Sequence, residues 1–463
     1  MLRNITIIVF IVFQIGNIFG QTTLIKVENL HSDIDSLKKY IEDTHPNAFL
    51  KYSKEKFNKD IENAKLAIVN PMSNLDFYVL LSSLLAKLED GHTTIWFPQA
   101  EYFKLNPSMF PYNVKLSNKE PFIIVIKSFN VVKNEIPANA EIISINGIES
   151  SKIVEDIAEL NSGETINFKL DIGANYFYFY LNKLYGMQNF YLIKYKFNKR
   201  IKTINIFGVN YESLITKKLD NTTKESILNV TDYFLKIIPE SKTAIIDFVS
   251  FNNAKKFNSF IDSAFEQIKL NKVEHLIIDI RENKGGDSQI GDIFFQYISK
   301  KPYVQYKKYK IKYSSLQKED YKIRFEMTKD SIWLKTTNKP NGLIEEDNIN
   351  STIVLKENNN RFDGKIFLLT GISTYSSAAS FAQCFKNYKM GKVIGEETGG
   401  CIIHFGDVIV ATLPNSKLNF TISHKIWYEI GAGENDFHGT TPDIEISSDK
   451  ALDYTLDLIK KNN

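Results

Sequence analysis

Apolar positions recur at helical spacing through the first part of the chain: Ile34, Leu37 and Ile41, then Phe57, Ile61 and Ala64, then Phe77, Leu80, Leu81, Leu84 and Leu88. Residues three and four apart share one face of a helix, so each run predicts an amphipathic helix with a single buried stripe. Ser73 and Asn74 are N-capping residue types, Gly91 suits a helix end, and residues 93–97 read as a short strand. From residue 110 to 160 the pattern shortens to strands and turns. Residues 141–145 run into Asn146-Gly147, a tight-turn pair, and helical spacing returns over 154–160. Residues 166–240 are rich in Tyr, Phe, Asn and Lys, carry no motif, and read as a cap or linker subdomain. From residue 243 short apolar runs (244–248, 275–280, 366–369) alternate with helical segments (257–268, 290–298, 377–387), which predicts an α/β domain with helices covering its sheet. The polar stretch 301–363 interrupts that alternation and reads as a loop-rich insertion.

The chain has 463 residues, 43% hydrophobic and 24% charged, enough for two or three cores. Residues 1–20 hold one charge, Arg3, followed by an apolar run and then small or polar residues. This is the pattern of a secretory signal peptide, too short for a stable bilayer anchor, and predicts an exported, periplasmic or extracellular protein with no membrane span after its removal. A net charge of +3 with dispersed lysines gives no field for nucleic acid. Cys384 and Cys401 leave one disulfide or two thiols equally open. The seven histidines show no metal-ligand spacing, so neither a metal nor a cofactor is expected.

Chemistry concentrates at strand-to-helix junctions. The strand at 276–280 ends in Arg281-Glu282-Asn283-Lys284-Gly285-Gly286-Asp287, where two glycines permit a tight turn with exposed N–H groups. Such a turn can receive an oxyanion or a phosphate, or be a plain turn. A second junction reads Gly371-Ile372-Ser373-Thr374-Tyr375-Ser376-Ser377. A hydroxyl at a helix N-terminus lies beside free N–H groups, which favours the charge of acyl transfer, yet Ser and Thr there are also ordinary caps. A third Gly-rich turn follows at 395–400, and residues 439–443 read Gly-Thr-Thr-Pro-Asp.

In this order, LIIDIRENKGG, TYSSAASFA, VIGEETGG and GTTPDIEI resemble the catalytic domain of the tail-specific (C-terminal processing) serine proteases over about residues 244–446. The stretch around EIISING is similar to a PDZ core. The resemblance implies a ClpP/crotonase-like α/β catalytic domain at 241–463, after an N-terminal helical domain at 21–105 and a PDZ-like domain at 106–165. It makes Ser376 the nucleophile, with oxyanion donors at the backbone N–H of Ser377 and of Gly285 or Gly286. The lysine that many relatives place about 25 residues beyond the serine falls on Cys401 here, and a buried thiol is a poor base. The tricorn-like branch takes a histidine from the segment before the PDZ-like region, which makes His92 of Asp90-Gly91-His92-Thr93 the general base, with His404 and His438 as fallbacks. Tricorn-like enzymes carry a hydroxyl just before that histidine, where this chain has Gly91. The orienting acid is expected at Asp436 or Glu434, with Asp436 preferred. The activity implied is that of an exported serine endopeptidase on unfolded or C-terminally exposed polypeptides. The rival is a non-catalytic exported peptide- or ligand-binding protein on the same fold, and the His92–Ser376 distance separates the two.

Overall fold

Three helices, Val27–Thr44, Lys54–Ala67 and Asn74–Leu85, open the computed structural model, which describes residues 23–129, 135–187, 189–213 and 233–461. The expected signal peptide at 1–20 lies outside the described residues. Ile34, Leu37, Ile41, Phe57, Ile61 and Phe77 are fully buried, as the spacing predicts, and the Ser73 hydroxyl caps the third helix by accepting from Asp76 N at 3.2 Å. That helix tightens into a 3₁₀ turn at Ala86–Leu88 and stops at Glu89, in the left-handed region at φ 53°, two residues before Gly91. Among the described residues no helix is long and apolar enough to cross a membrane.

The sheet that holds the expected PDZ-like segment orders its strands Tyr112–Leu116, Ile123–Ser128, Glu141–Ile145, Phe190–Phe197 and Arg200–Phe207, with helix Ser150–Ala158 after the Asn146-Gly147 turn. Two of these strands come from the segment expected to be a cap or linker, so a boundary at 165 cuts through one sheet. Tyr191, Ile193 and Tyr195 point inward while Phe190, Leu192, Lys194 and Lys196 point out. This period-two signal is masked in the sequence because the outward positions include Phe and Leu. The N-terminal helices and this sheet share one hydrophobic core.

The domain expected to be catalytic is a mixed α/β unit. Its six-stranded sheet runs Tyr233–Ile238, Thr243–Phe248, His275–Asp279, Lys365–Thr370, Lys392–Gly395 and Ile444–Glu445, parallel except for the first strand. Helices Ala254–Leu270, Gln289–Ile298 and Ser377–Asn387 bury one face, and Ser448–Lys461 covers the other through Ala451 and Ile459. Coverage on both faces is why the central strand His275–Asp279 is buried at every position.

A second sheet joins the domains. Strands Ile403–Thr412 and Tyr306–Lys312 flank Asn419–Glu429, and Ile344–Asn348 pairs beyond them. Two of this sheet's five strands, together with helix Ser315–Thr328, come from residues 301–363, which are therefore not a loop-rich insertion; their strands read as polar because side chains such as Lys308 and Lys310 form ion pairs with Glu346. The two-residue strand Thr94–Ile95 pairs with Thr421 and Phe420 of the central strand, fixing the chain just after His92 to the catalytic domain.

Candidate active site

Ser376 sits at the turn between strand Lys365–Thr370 and helix Ser377–Asn387, with φ 54° and ψ −130°. A non-glycine residue there costs about 1–3 kcal/mol and persists only when its surroundings over-determine it. Thr374 donates its hydroxyl to Ile280 O at 2.8 Å and accepts from Gly371 N at 3.0 Å, and Tyr375 N donates to Asn283 O at 3.0 Å. Ser377 Oγ donates to Gly286 O at 2.7 Å. The Ser376 hydroxyl makes no capping bond, so it is free of the ordinary role a helix-start serine has, and its Oγ lies 3.0 Å from His92 Nε2.

The glycine turn packs directly on this serine. Gly285 has φ 87°, and a Cβ added to it would lie 2.8 Å from Ser376 Cβ and 2.9 Å from Ser377 N. Its own N–H is spent on Asn283 Oδ1 at 2.8 Å, while fully buried Asn283 anchors itself by donating to Phe248 O at 2.6 Å. Of the two expected glycine donors, Gly285 is thus already occupied. The N–H groups of Gly286 and Ser377 have no acceptor among the described residues.

His92 is held by its backbone. Its N–H donates to Asp90 Oδ1 at 2.8 Å, and Thr421 Oγ1 donates to its carbonyl at 2.7 Å. Asp90 is fully buried, and its Oδ2 accepts from His45 Nε2 at 3.1 Å, Thr93 Oγ1 at 2.6 Å and Ser423 Oγ at 2.7 Å. Burial opposes its ionisation, but the bond and charge of His45, the charge of His92 and the Thr93 hydroxyl outweigh that and hold the carboxyl well below the usual range. Burial pushes His92 below its ordinary value, against the pull of Asp90 and Asp407, so the ring is neutral and able to accept a proton near neutrality.

On its far side the His92 ring meets Tyr375, whose hydroxyl lies 3.1 Å from Nδ1 and 3.0 Å from each carboxyl oxygen of Glu164. Neither Tyr375 nor Glu164 nor Asp90 was among the residues singled out in the sequence. Asp90 and Tyr375 sit inside the quoted motifs, but Glu164, just before the Thr165 cap of helix Ile166–Asn175, has no local signal. Asp90, His92 and Glu164 bring ligand-type atoms within 4.8 Å of one another, yet the Tyr375 hydroxyl already bonds two of the three.

The expected acids lie elsewhere. Asp436 accepts from Gly433 N at 2.7 Å within its own turn, and Glu434 pairs with Lys308 at 3.1 Å; among the described residues neither is bonded to His92. The reason is local: the turn closes on itself, and the lysine captures the other carboxylate. His404 is buried, 3.4 Å from Glu429 and 3.2 Å from Cys401 O, and His438 contacts Gly439 O at 2.7 Å. Cys384 and Cys401 are free and buried, and burial pushes both thiols up, so Cys401 does not replace a lysine base.

Residues 242–446 match the family model of Peptidase family S41. The fold is that of mature CPAF complexed with lactacystin, at 13% identity and TM-score 0.64 over 94% of this chain and 98% of that one. Mature CPAF alone gives 12% identity and TM-score 0.63 over 94% and 97%. A putative peptidase from Parabacteroides merdae is also similar, at 13% identity and TM-score 0.47 over 93% and 96%. No curated protein sequence matches the chain.

Proposed function

We propose that this chain, a serine-type peptidase whose residues 242–446 belong to peptidase family S41, is an exported endopeptidase acting on unfolded or C-terminally exposed polypeptides, with Ser376 as nucleophile and His92 as base. The observation that carries the assignment is the 3.0 Å approach of His92 Nε2 to Ser376 Oγ, two groups 284 residues apart. A serine hydroxyl needs a base within hydrogen-bond reach, and a neutral imidazole below its ordinary pKa serves near neutrality. That contact favours hydrolysis over a binding protein on the same fold.

In this reading His92 Nε2 takes the Oγ proton as Ser376 attacks the peptide carbonyl. The oxyanion is received by the N–H groups of Ser377 and Gly286, the former at the start of helix Ser377–Asn387. His92 then gives its proton to the leaving amine, and water repeats the sequence on the acyl-enzyme. A polypeptide substrate is supported by the strand Tyr112–Leu116, which among the described residues pairs on one side only, a sheet edge of the kind that extended chains join. Export rests on the residue pattern of positions 1–20.

The test is cleavage of casein by wild type, Ser376→Ala and His92→Ala, with fluorophosphonate labelling of the serine. Both variants are expected to lose cleavage and labelling. Undiminished cleavage by both would remove the site assignment.

A further inference from the structure

We propose that Tyr375 and Glu164 are the positioning residues for His92, the phenol oxygen accepting a hydrogen bond from Nδ1–H and its O–H donating to the Glu164 carboxyl, in the place a carboxylate holds in Ser-His-Asp triads. The inference rests on the Ser376–His92 reading and deepens it. For Nε2 to accept the serine proton, Nδ1 must carry the ring hydrogen, and some acceptor must favour that tautomer. Tyr375 Oη is 3.1 Å from Nδ1, whereas the nearer Asp90 oxygen is 3.9 Å away, beyond a hydrogen bond. With both Glu164 oxygens 3.0 Å from Tyr375 Oη, the phenol has an acceptor for its own proton. The bonds therefore run in one direction, from Ser376 through His92 and Tyr375 to Glu164.

Packing fixes the phenol in that position. The Tyr375 ring stacks on Phe168 at 3.9 Å and 7°, and on His92 at 4.8 Å and 30°. The approach depends on Gly91, where an added Cβ would collide with the Tyr375 hydroxyl and lie 2.9 Å from Phe168. The serine's neighbour in sequence thus reaches around the imidazole through space that any side chain at position 91 would fill.

Two groups divide what one triad carboxylate does. Asp90, held ionised by His45, Thr93 and Ser423, supplies negative charge beside the imidazolium without bonding its ring. Glu164 is faced by Asp90, Tyr375, His92, Lys169 and the Cys401 thiol. Burial and the Asp90 charge push its carboxyl up to about 8, so it serves near neutrality as an uncharged acceptor for the phenol.

The experiment measures kcat, KM and the His92 tautomer by ¹⁵N NMR in Tyr375→Phe, Glu164→Leu and Glu164→Gln, with Ser376→Ala as control. Tyr375→Phe keeps both ring stacks and loses only the hydroxyl. Its kcat should fall roughly ten- to a hundredfold at unchanged KM, short of the about 10⁴-fold loss seen when an ionised triad carboxylate is neutralised. His92 should shift from the Nδ1–H toward the Nε2–H tautomer, a change that a merely structural role would not produce. Glu164→Leu should match Tyr375→Phe, and the conservative Glu164→Gln should recover at least roughly a third of wild-type kcat because its amide oxygen still accepts from the phenol. The Glu164 pair tests the relay from its other end if the Phe variant fails to fold. Wild-type kcat and tautomer in Tyr375→Phe, or a Gln variant as inactive as the Leu variant, with Ser376→Ala inactive, overturns the relay and leaves Ser376 and His92 in place. An active Ser376→Ala would instead remove the reading on which the relay rests.

Discussion

Glu164 makes the protein's stability depend on pH in a way that one substitution isolates. The residue is 9% exposed, and burial, reinforced by the Asp90 charge, raises its pKa from an ordinary 4.5 to about 8. The folded chain therefore holds a proton that the unfolded chain releases between these two values. Stability from this group is fully present below 4.5 and is lost as pH rises through 8, because the native state is the one binding the extra proton. Over the whole window the loss is about 5 kcal/mol, and between about pH 6.5 and about pH 8 it is about 1.5 kcal/mol. Buried His404 and His424 act in the opposite direction, with pKa values lowered to about 3 and about 4, so their contribution is complete by about pH 7. Glu164→Gln removes one titration and keeps the shape. Urea unfolding of wild type and variant at about pH 6.5 and about pH 8 should show the variant gaining on wild type by about 1.5 kcal/mol between the two conditions. Parallel stabilities at both pH values would refute the buried, protonated Glu164 and with it the division of roles between Glu164 and Asp90.

Gly91→Ala should displace the Tyr375 hydroxyl and lower kcat by roughly tenfold or more, while far-ultraviolet circular dichroism stays unchanged. Asn283→Ala frees the Gly285 N–H and removes a buried anchor, so kcat should fall roughly a hundredfold and urea unfolding should show a loss of about 1–3 kcal/mol. Ser376→Gly relieves the positive φ that Ser376→Ala retains, and the glycine variant should unfold at higher temperature than the alanine variant by an amount equivalent to about 1 kcal/mol, both being inactive.

Ser376 and His92, the proposed nucleophile and base, were legible as candidates because each lies within a short stretch whose chemistry is local: a hydroxyl-rich helix start, and a histidine just past a helix. The order of the Gly-rich turns carried the α/β catalytic domain in the same way. What surrounds the base was not legible, because it depends on long-range placement. Glu164 belongs to a turn before helix Ile166–Asn175, and only the tertiary fold brings that turn against Tyr375. Asp436 has the right chemistry and sequence neighbourhood, but its carboxylate closes a turn with Gly433, a choice of local hydrogen bond that residue type does not reveal. The sheet that contains Glu141–Ile145 extends past 165 through strand Phe190–Phe197, whose exposed Phe190 and Leu192 disguise its alternation of buried and exposed side chains.

The pairing of Thr94–Ile95 with Phe420 and Thr421 means that the proposed base is seated by a strand that follows it by some 329 residues. Ser423 also donates its backbone N–H to Thr93 Oγ1 and its hydroxyl to Asp90, so the same late strand braces the Asp90-Gly91-His92-Thr93 turn at three points. A chain cut before residue 419 would keep Ser376 and lose the strand against which His92 is seated.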